Sequence, residues 1–222
     1  MGRVVLVHGA WVHATVWEAV AEDLRSRGHR VEAVELHRGT LEADTRAVQS
    51  VVDELGGSVT VCGWSYGGMV ITGLHLAGGS HLVYLAAFMP DERESAAELA
   101  QRFPDNDLQK IFSVDDSGKA VLAGSDEEMA AALWADVPAG LATTLRQSLS
   151  GQPLVSFAAS PASIAWRETP STYVVCLEDR AIPPELQRHM AQRADQVVEW
   201  HTSHSPMLSR PDLVADLLAG MA

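Results

Sequence analysis

The chain has 222 residues, of which 47% are hydrophobic and 20% charged, and its formal net charge is −13. That length and mix describe one folded globule with room for an inserted subdomain, not a disordered chain. Such acidity argues against nucleic acid or an anionic membrane as partner, and no apolar run approaches the ~20 residues needed to span a bilayer.

A first apolar run, residues 3–7, reads as a strand buried on both faces, and it leaves no room ahead of it for a signal peptide. It stops at His8-Gly9-Ala10. Residues 15–27 follow with Val16, Val20 and Leu24 at helical spacing, closed by Gly28. Residues 30–36 predict a second strand. Residues 41–55 predict a second helix, apolar along Val48, Val51, Val52 and Leu55 and ended by Gly56-Gly57. A third strand, 59–63, and a helix, 66–76, flank Gly63-x-Ser65-x-Gly67, the spacing of a nucleophile elbow. A serine driven through a sharp strand-to-helix turn needs neighbours without side chains two residues before and after it. Residues 81–87 predict a fourth strand, and strands alternating with helices make a parallel sheet.

From Asp91 to about Thr169 the rhythm breaks into helical segments with no clear buried strand. Ser125-Asp126-Glu127-Glu128 has the form of a capping box, and 141–149 reads as a short helix. The stretch is rich in large apolar residues (Phe112, Met129, Trp134, Phe157, Trp166), as a cap over the strand ends would be; a set of peripheral helices is the alternative. Strand pattern resumes at 171–177 and leads to Glu178-Asp179-Arg180. Pro183-Pro184 opens a helix to about Arg193. Residues 196–200 form a sixth strand ahead of His201 and His204, and Pro211 starts a closing helix. The expected fold is therefore α/β: a mostly parallel six-stranded sheet flanked by helices, with 1–90 and 170–222 as core and 91–169 as an inserted, mainly helical cap. Cys62 and Cys176 lie in strand-like runs and read as buried free thiols, which fits a cytoplasmic protein.

Three chemically capable groups fall at the ends of parallel strands, which share one edge of the sheet: Ser65, an acid at 178 or 179, and a histidine at 201 or 204. Strand alternation points Glu178 and Asp179 opposite ways. His204 lies deeper in its loop than His201 and precedes Ser205-Pro206-Met207. The order nucleophile, acid, histidine is that of a hydrolase built on this architecture. A carbonyl attacked by Ser65 develops negative charge on oxygen, so fixed backbone donors are needed; Tyr66 N–H and Ala10 N–H are the expected pair. His8 reads as a buried residue that shapes this loop. No His-Glu-x-x-His motif, zinc-spaced Cys pair, Gly-x-Gly-x-x-Gly fingerprint or Walker sequence is present, so neither metal nor cofactor is expected.

Val7-His8-Gly9-Ala10-Trp11, Gly63-Trp64-Ser65-Tyr66-Gly67-Gly68-Met69, Leu85-Ala86-Ala87-Phe88-Met89-Pro90, Glu178-Asp179-Arg180-Ala181-Ile182-Pro183 and His204-Ser205-Pro206-Met207-Leu208 together carry a resemblance. The chain resembles the α/β-hydrolase fold superfamily, and within it the branch of plant methylesterases and hydroxynitrile lyases with their bacterial esterase relatives. That resemblance implies a Ser65, Asp179, His204 triad and an oxyanion hole of Ala10 and Tyr66. Lyase members carry a lysine after the catalytic histidine and a hydroxyl-bearing residue after the first-strand histidine; Ser205 and Gly9 stand there instead, as on the esterase side. Trp64 replaces the histidine usual before the nucleophile. The expectation is a cofactor-independent serine hydrolase acting on a small apolar or aromatic carboxylic ester, methyl esters included, with Trp11, Phe88, Trp134, Phe157 and Met207 touching substrate. A triad-bearing binding protein, a lyase, and a lactonase, amidase or acyltransferase using the same serine are the alternatives. The partner expected is the small-molecule ester, with a homodimer left open.

Overall fold

The computed structural model describes residues 1–37, 39–103 and 106–222. In chain order, β1 (Arg3–Val7), α1 (Glu18–Ser26), β2 (Arg30–Val34), α2 (Leu41–Leu55), β3 (Thr60–Trp64), α3 (Gly67–Thr72) and β4 (His81–Leu85) come first. The insertion holds α4 (Ala96–Gln101), α5 (Asp107–Ile111), β5 (Phe112–Val114), β6 (Lys119–Leu122), α6 (Asp126–Leu133), α7 (Ala139–Gln147), β7 (Gln152–Pro153) and α8 (Leu154–Ala158). The chain closes with β8 (Ser171–Cys176), α9 (Pro184–Ala191), β9 (Gln196–Trp200), α10 (Pro206–Ser209) and α11 (Pro211–Ala219).

Six strands form one sheet in the order β2-β1-β3-β4-β8-β9, every neighbouring pair parallel. The strands are apolar throughout because helices cover both faces. Val5, Val7, Val61 and Tyr84 point to the face packed by Val48 of α2, Met69 of α3 and Leu186 of α9. Val4, Leu6, Cys62 and Val83 point the other way, onto Val20 and Leu24 of α1 and Val214 and Leu218 of α11. Burying each such aliphatic side chain contributes ~1.5–3 kcal/mol. Both cysteines are buried and free, as the sequence predicts, and burial pushes both thiols well up.

The structure adds to the sequence reading at one place and corrects it at two. First, the insertion, where no buried strand is expected, holds a small antiparallel sheet of β5, β6 and β7. Its strands are two to four residues long and mostly half-exposed, too short for a period-2 pattern. A turn at Asp115–Gly118 makes the β5–β6 hairpin, with the Asp115 carboxylate accepting from the N–H groups of Ser117 and Lys119 at 2.9 Å. Second, α3 ends at Thr72, not at 76, because Gly73 N–H turns to Val70 O at 3.1 Å. Third, β4 ends at Leu85, since Ala86 adopts a left-handed backbone with φ 44°. The Ser125 capping box is present, with Glu128 answering at N3.

The carboxyl ends of β1, β3, β8 and β9 share one edge of the sheet, as parallel strands must. Ala10, Ser65, Asp179 and His204 all follow those ends.

Candidate active site

Ser65 joins β3 to α3 with φ 56°, a conformation that costs a side-chain-bearing residue of order 1–3 kcal/mol. The surrounding chain over-determines it. Ser65 N–H donates to Leu85 O at 3.3 Å, and Ser65 O accepts from Gly68 N and Phe88 N at 3.1 Å each. The three glycines of the turn are there for clearance. A Cβ at Gly63 would lie 2.6 Å from Gly67 O, and one at Gly67 2.6 Å from Val7 O. The tightest is Gly68, whose Cβ would lie 2.0 Å from Phe88 O. Gly68→Ala should therefore strain the elbow by about 1–3 kcal/mol and lower the melting temperature by about 2–10 °C in a chain of this size. Thermal denaturation checks this; an unchanged melting temperature would mean that the turn is looser than drawn.

Asp179 is 4% exposed and every lone pair of its carboxylate is spoken for. Oδ1 accepts from Ala181 N at 2.8 Å and Ile182 N at 2.9 Å. Oδ2 accepts from Gln187 Nε2 at 2.8 Å and faces His204 Nδ1 at 2.6 Å. A carboxylate there makes Nδ1 the protonated nitrogen, which leaves Nε2 with a free lone pair. The competing pair is elsewhere: the side chains of Glu178 and His201 are 59% and 84% exposed and 3.8 Å from each other. Asp179 and His204 are thus the acid and histidine that the fold brings together.

The loop carrying His204 is tied at each residue. Thr202 O accepts from Glu178 N at 3.1 Å. Ser203 donates to the Asp136 carboxylate through its N–H, at 2.9 Å, and through its hydroxyl. His204 O accepts from the Trp64 indole at 2.7 Å, and Ser205 Oγ donates to Leu133 O at 2.8 Å. Ser65 Oγ makes no hydrogen bond among the described residues; catalytic contacts of this kind are often loose until substrate is bound.

His8 shapes the loop after β1, as expected. Its Nε2 accepts from Leu36 N at 3.1 Å, so Nδ1 donates to Gly9 O at 2.7 Å. Gly9 lies against the elbow: a Cβ there would be 2.9 Å from Ser65 Cβ. Ala10 and Tyr66 flank Ser65 in the wall of one cavity, and among the described residues neither backbone N–H has a protein acceptor. The Tyr66 phenol is held neutral, pushed well up by burial and by Asp44, to which it donates at 3.0 Å.

That cavity, of about 370 Å³, is lined almost wholly by apolar side chains, and none of the described residues in its wall is Asp, Glu, Lys, Arg or His. Trp11, with φ 66°, forms one wall. Its indole donates to Ala120 O at 3.0 Å and meets Phe157 at 5.4 Å and Phe112 edge-on at 6.4 Å between ring centroids. Phe157 also meets Tyr66 edge-on at 5.7 Å. Alanines 96, 97 and 100 leave room opposite. Among the described residues no cluster of side chains is arranged to hold a metal ion, and no helix is long and apolar enough to cross a membrane.

The family model described as "Alpha/beta hydrolase family" matches residues 4–217. The chain belongs to the alpha/beta hydrolase family. Methylesterase 2 of Arabidopsis thaliana is 28% identical over 258 residues, covering 98% of this chain and 95% of its own. Alpha-hydroxynitrile lyase of the same plant is 28% identical over 249 residues, covering 98% and 96%. The crystal structure of polyneuridine aldehyde esterase shares the fold with a TM-score of 0.83, over 100% of this chain and 99% of that one, at 22% identity. These relatives are of the branch that the sequence resembles, and the chain is a hydrolase of esterase type.

Two of the hydrolase's expected substrate contacts lie elsewhere. Trp134 and Met207 are buried in the core cluster on the α1 and α11 side of the sheet, away from the cavity wall. An aromatic-rich insertion signals burial, not which space the rings enclose. Trp11, Phe88 and Phe157 do line the cavity. The sequence reading missed Gln187, which is fully buried and donates to both Asp179 Oδ2 and Ile182 O while accepting from Cys176 N. Its signal was available: a glutamine beside Leu186 and Met190 on the apolar side of α9. Asp136 gave none, since its partners are 67 and 73 residues away.

Proposed function

We propose that this hydrolase cleaves small, uncharged, apolar or aromatic carboxylic esters through a Ser65 acyl-enzyme. The observation that carries the reading is the His204–Asp179 contact at the sheet edge where the strained Ser65 opens onto an apolar cavity. His204 Nε2 takes the Ser65 proton as Oγ attacks the ester carbonyl. Asp179 fixes the ring and stabilises the imidazolium. The N–H groups of Ala10 and Tyr66 receive the charge that grows on the carbonyl oxygen. His204 then gives its proton to the departing alkoxide, and water, activated by the same nitrogen, releases the acid.

The described cavity wall is uncharged, which favours neutral substrates, because an ion against these apolar side chains would lose hydration without a replacement. Methyl esters fall within this class, as the name of the Arabidopsis relative prompts. Gly9 speaks against a lyase-like site, since a hydroxyl-bearing side chain at that position would strike Ser65. Residues 91–169 act as a cap that supplies one side of the cavity, and the free thiols fit the reducing cytoplasm.

A fluorophosphonate probe should label the hydrolase at one residue, and peptide mass spectrometry should find it on Ser65. Absence of label from protein that still turns over p-nitrophenyl esters, or a label on another residue, would sink the reading.

A further inference from the structure

Trp64 ends β3 and immediately precedes Ser65, and it is 2% exposed. It touches His204 in two ways. Its indole N–H donates to the His204 backbone carbonyl at 2.7 Å, and its ring meets the imidazole at 5.1 Å between centroids, tilted by 46°. A buried indole N–H ordinarily finds an acceptor; what distinguishes Trp64 is that its acceptor is the backbone of His204 itself, whereas the equally buried Trp17 and Trp134 have no acceptor among the described residues.

We infer that Trp64 is a positioning residue that sets the separation between Ser65 and His204; the inference rests on reading those two as nucleophile and base. In the sheet, β4 and β8 lie between β3 and β9, so no backbone ladder joins the strand ahead of the serine to the strand ahead of the histidine. Asp179 fixes the rotation of the imidazole but sits at the end of β8, not beside the elbow. Ser65 itself is rigid, clamped through its N–H and its carbonyl. Trp64 is continuous with that clamp and bonded to the backbone of His204, 140 residues away in sequence. It joins the main chain at the nucleophile to the main chain at the base. The same ring also faces the loop after β1, where a Cβ on Gly9 would lie 3.1 Å from it. Trp64 therefore touches the nucleophile's strand, the base and the loop that carries Ala10. Without its N–H the His204 carbonyl loses a buried donor, the loop relaxes, and the proton acceptor moves off line.

The test removes the N–H and little else. Replacing Trp64 with 3-benzothienylalanine by codon suppression keeps the bicyclic ring and puts sulfur in place of nitrogen; Trp64→Phe is the coarser companion. Because a displacement of about 1 Å costs on the order of 10²-fold in rate, kcat should fall by about 10- to 10²-fold with KM within about twofold. The same change made in a His204→Ala background should have no further effect on the residual rate, since a residue acting only through His204 has nothing left to position. Wild-type kcat in the benzothienyl variant would overturn the inference. So would an equal fractional loss with and without His204, which would mark Trp64 as a structural residue. If His204→Ala alone left turnover intact, the reading of the base would fall and this inference with it; if His204→Ala removed turnover while the Trp64 variants kept it, only the inference would fall.

Discussion

Ser65→Ala is expected to lower kcat on an activated short-chain ester by about 10⁶-fold, the scale on which a serine hydrolase loses its nucleophile. Folding should be almost untouched. The hydroxyl has no hydrogen-bond partner among the described residues, so its removal strands no donor or acceptor. Alanine tolerates φ 56° about as poorly as serine, so the strain of the elbow is unchanged. The melting temperature should stay within about 2 °C of wild type. Steady-state kinetics with a denaturation curve on the same sample separates the two outcomes. Activity retained by a well-folded variant would remove Ser65 from the mechanism. A collapse of the melting temperature would mean that the hydroxyl holds the turn together.

Asp179→Asn is expected to cost on the order of 10⁴ in kcat, as when a triad acid is amidated elsewhere. Here the loss has a local cause. All four groups that face the Asp179 carboxylate are donors: Ala181 N–H, Ile182 N–H, Gln187 Nε2 and His204 Nδ1. An amide has one accepting end. With its NH₂ toward His204 it opposes Gln187 as well, and it drives the imidazole to carry its proton on Nε2, where it cannot take one from Ser65. Turned round, the NH₂ meets the two backbone donors instead. Neither orientation satisfies the site. Glu178→Gln, one residue earlier and solvent-facing, should leave kcat within about twofold, as surface changes do. A larger loss at 178 than at 179 would reverse the assignment.

What the sequence discloses here is whatever a short stretch of chain encodes by itself. Continuous apolar runs such as 3–7 and 171–176 announce strands covered on both faces, and glycines at 63 and 67 announce a turn with no room for Cβ. That Ser65, Asp179 and His204 follow strands ending on one edge is also legible, because parallel strands put their ends on one edge whatever their separation in sequence. The reading weakens where meaning depends on a distant partner. Trp134 and Phe157 are both large aromatics in the insertion; that Phe157 lines the cavity while Trp134 packs in the core follows from tertiary packing that no local pattern encodes. Gln187 and Asp136 acquire their roles only once a carboxylate and a loop from elsewhere arrive beside them. Trp64 is visible as an unusual neighbour to the serine, and only the structure shows where its indole points.

The contacts made by the insertion divide its sequence into two kinds of territory. Ala96, Ala100, Leu108, Phe112, Leu154 and Phe157 line the cavity, whereas Leu133 and Asp136 bond to the residues on either side of His204. The cavity wall and the support of the histidine loop thus come from different segments of the same insertion. They are joined through α5, whose Ile111 packs in one cluster with Met129 and Leu133 of α6. A relative's whole insertion transplanted onto this sheet would carry a new cavity wall and, unless it brought an acceptor at the place of Asp136, a histidine loop with one side unmoored. For recombination, natural or deliberate, the seam that respects the molecule runs through the insertion and not around it.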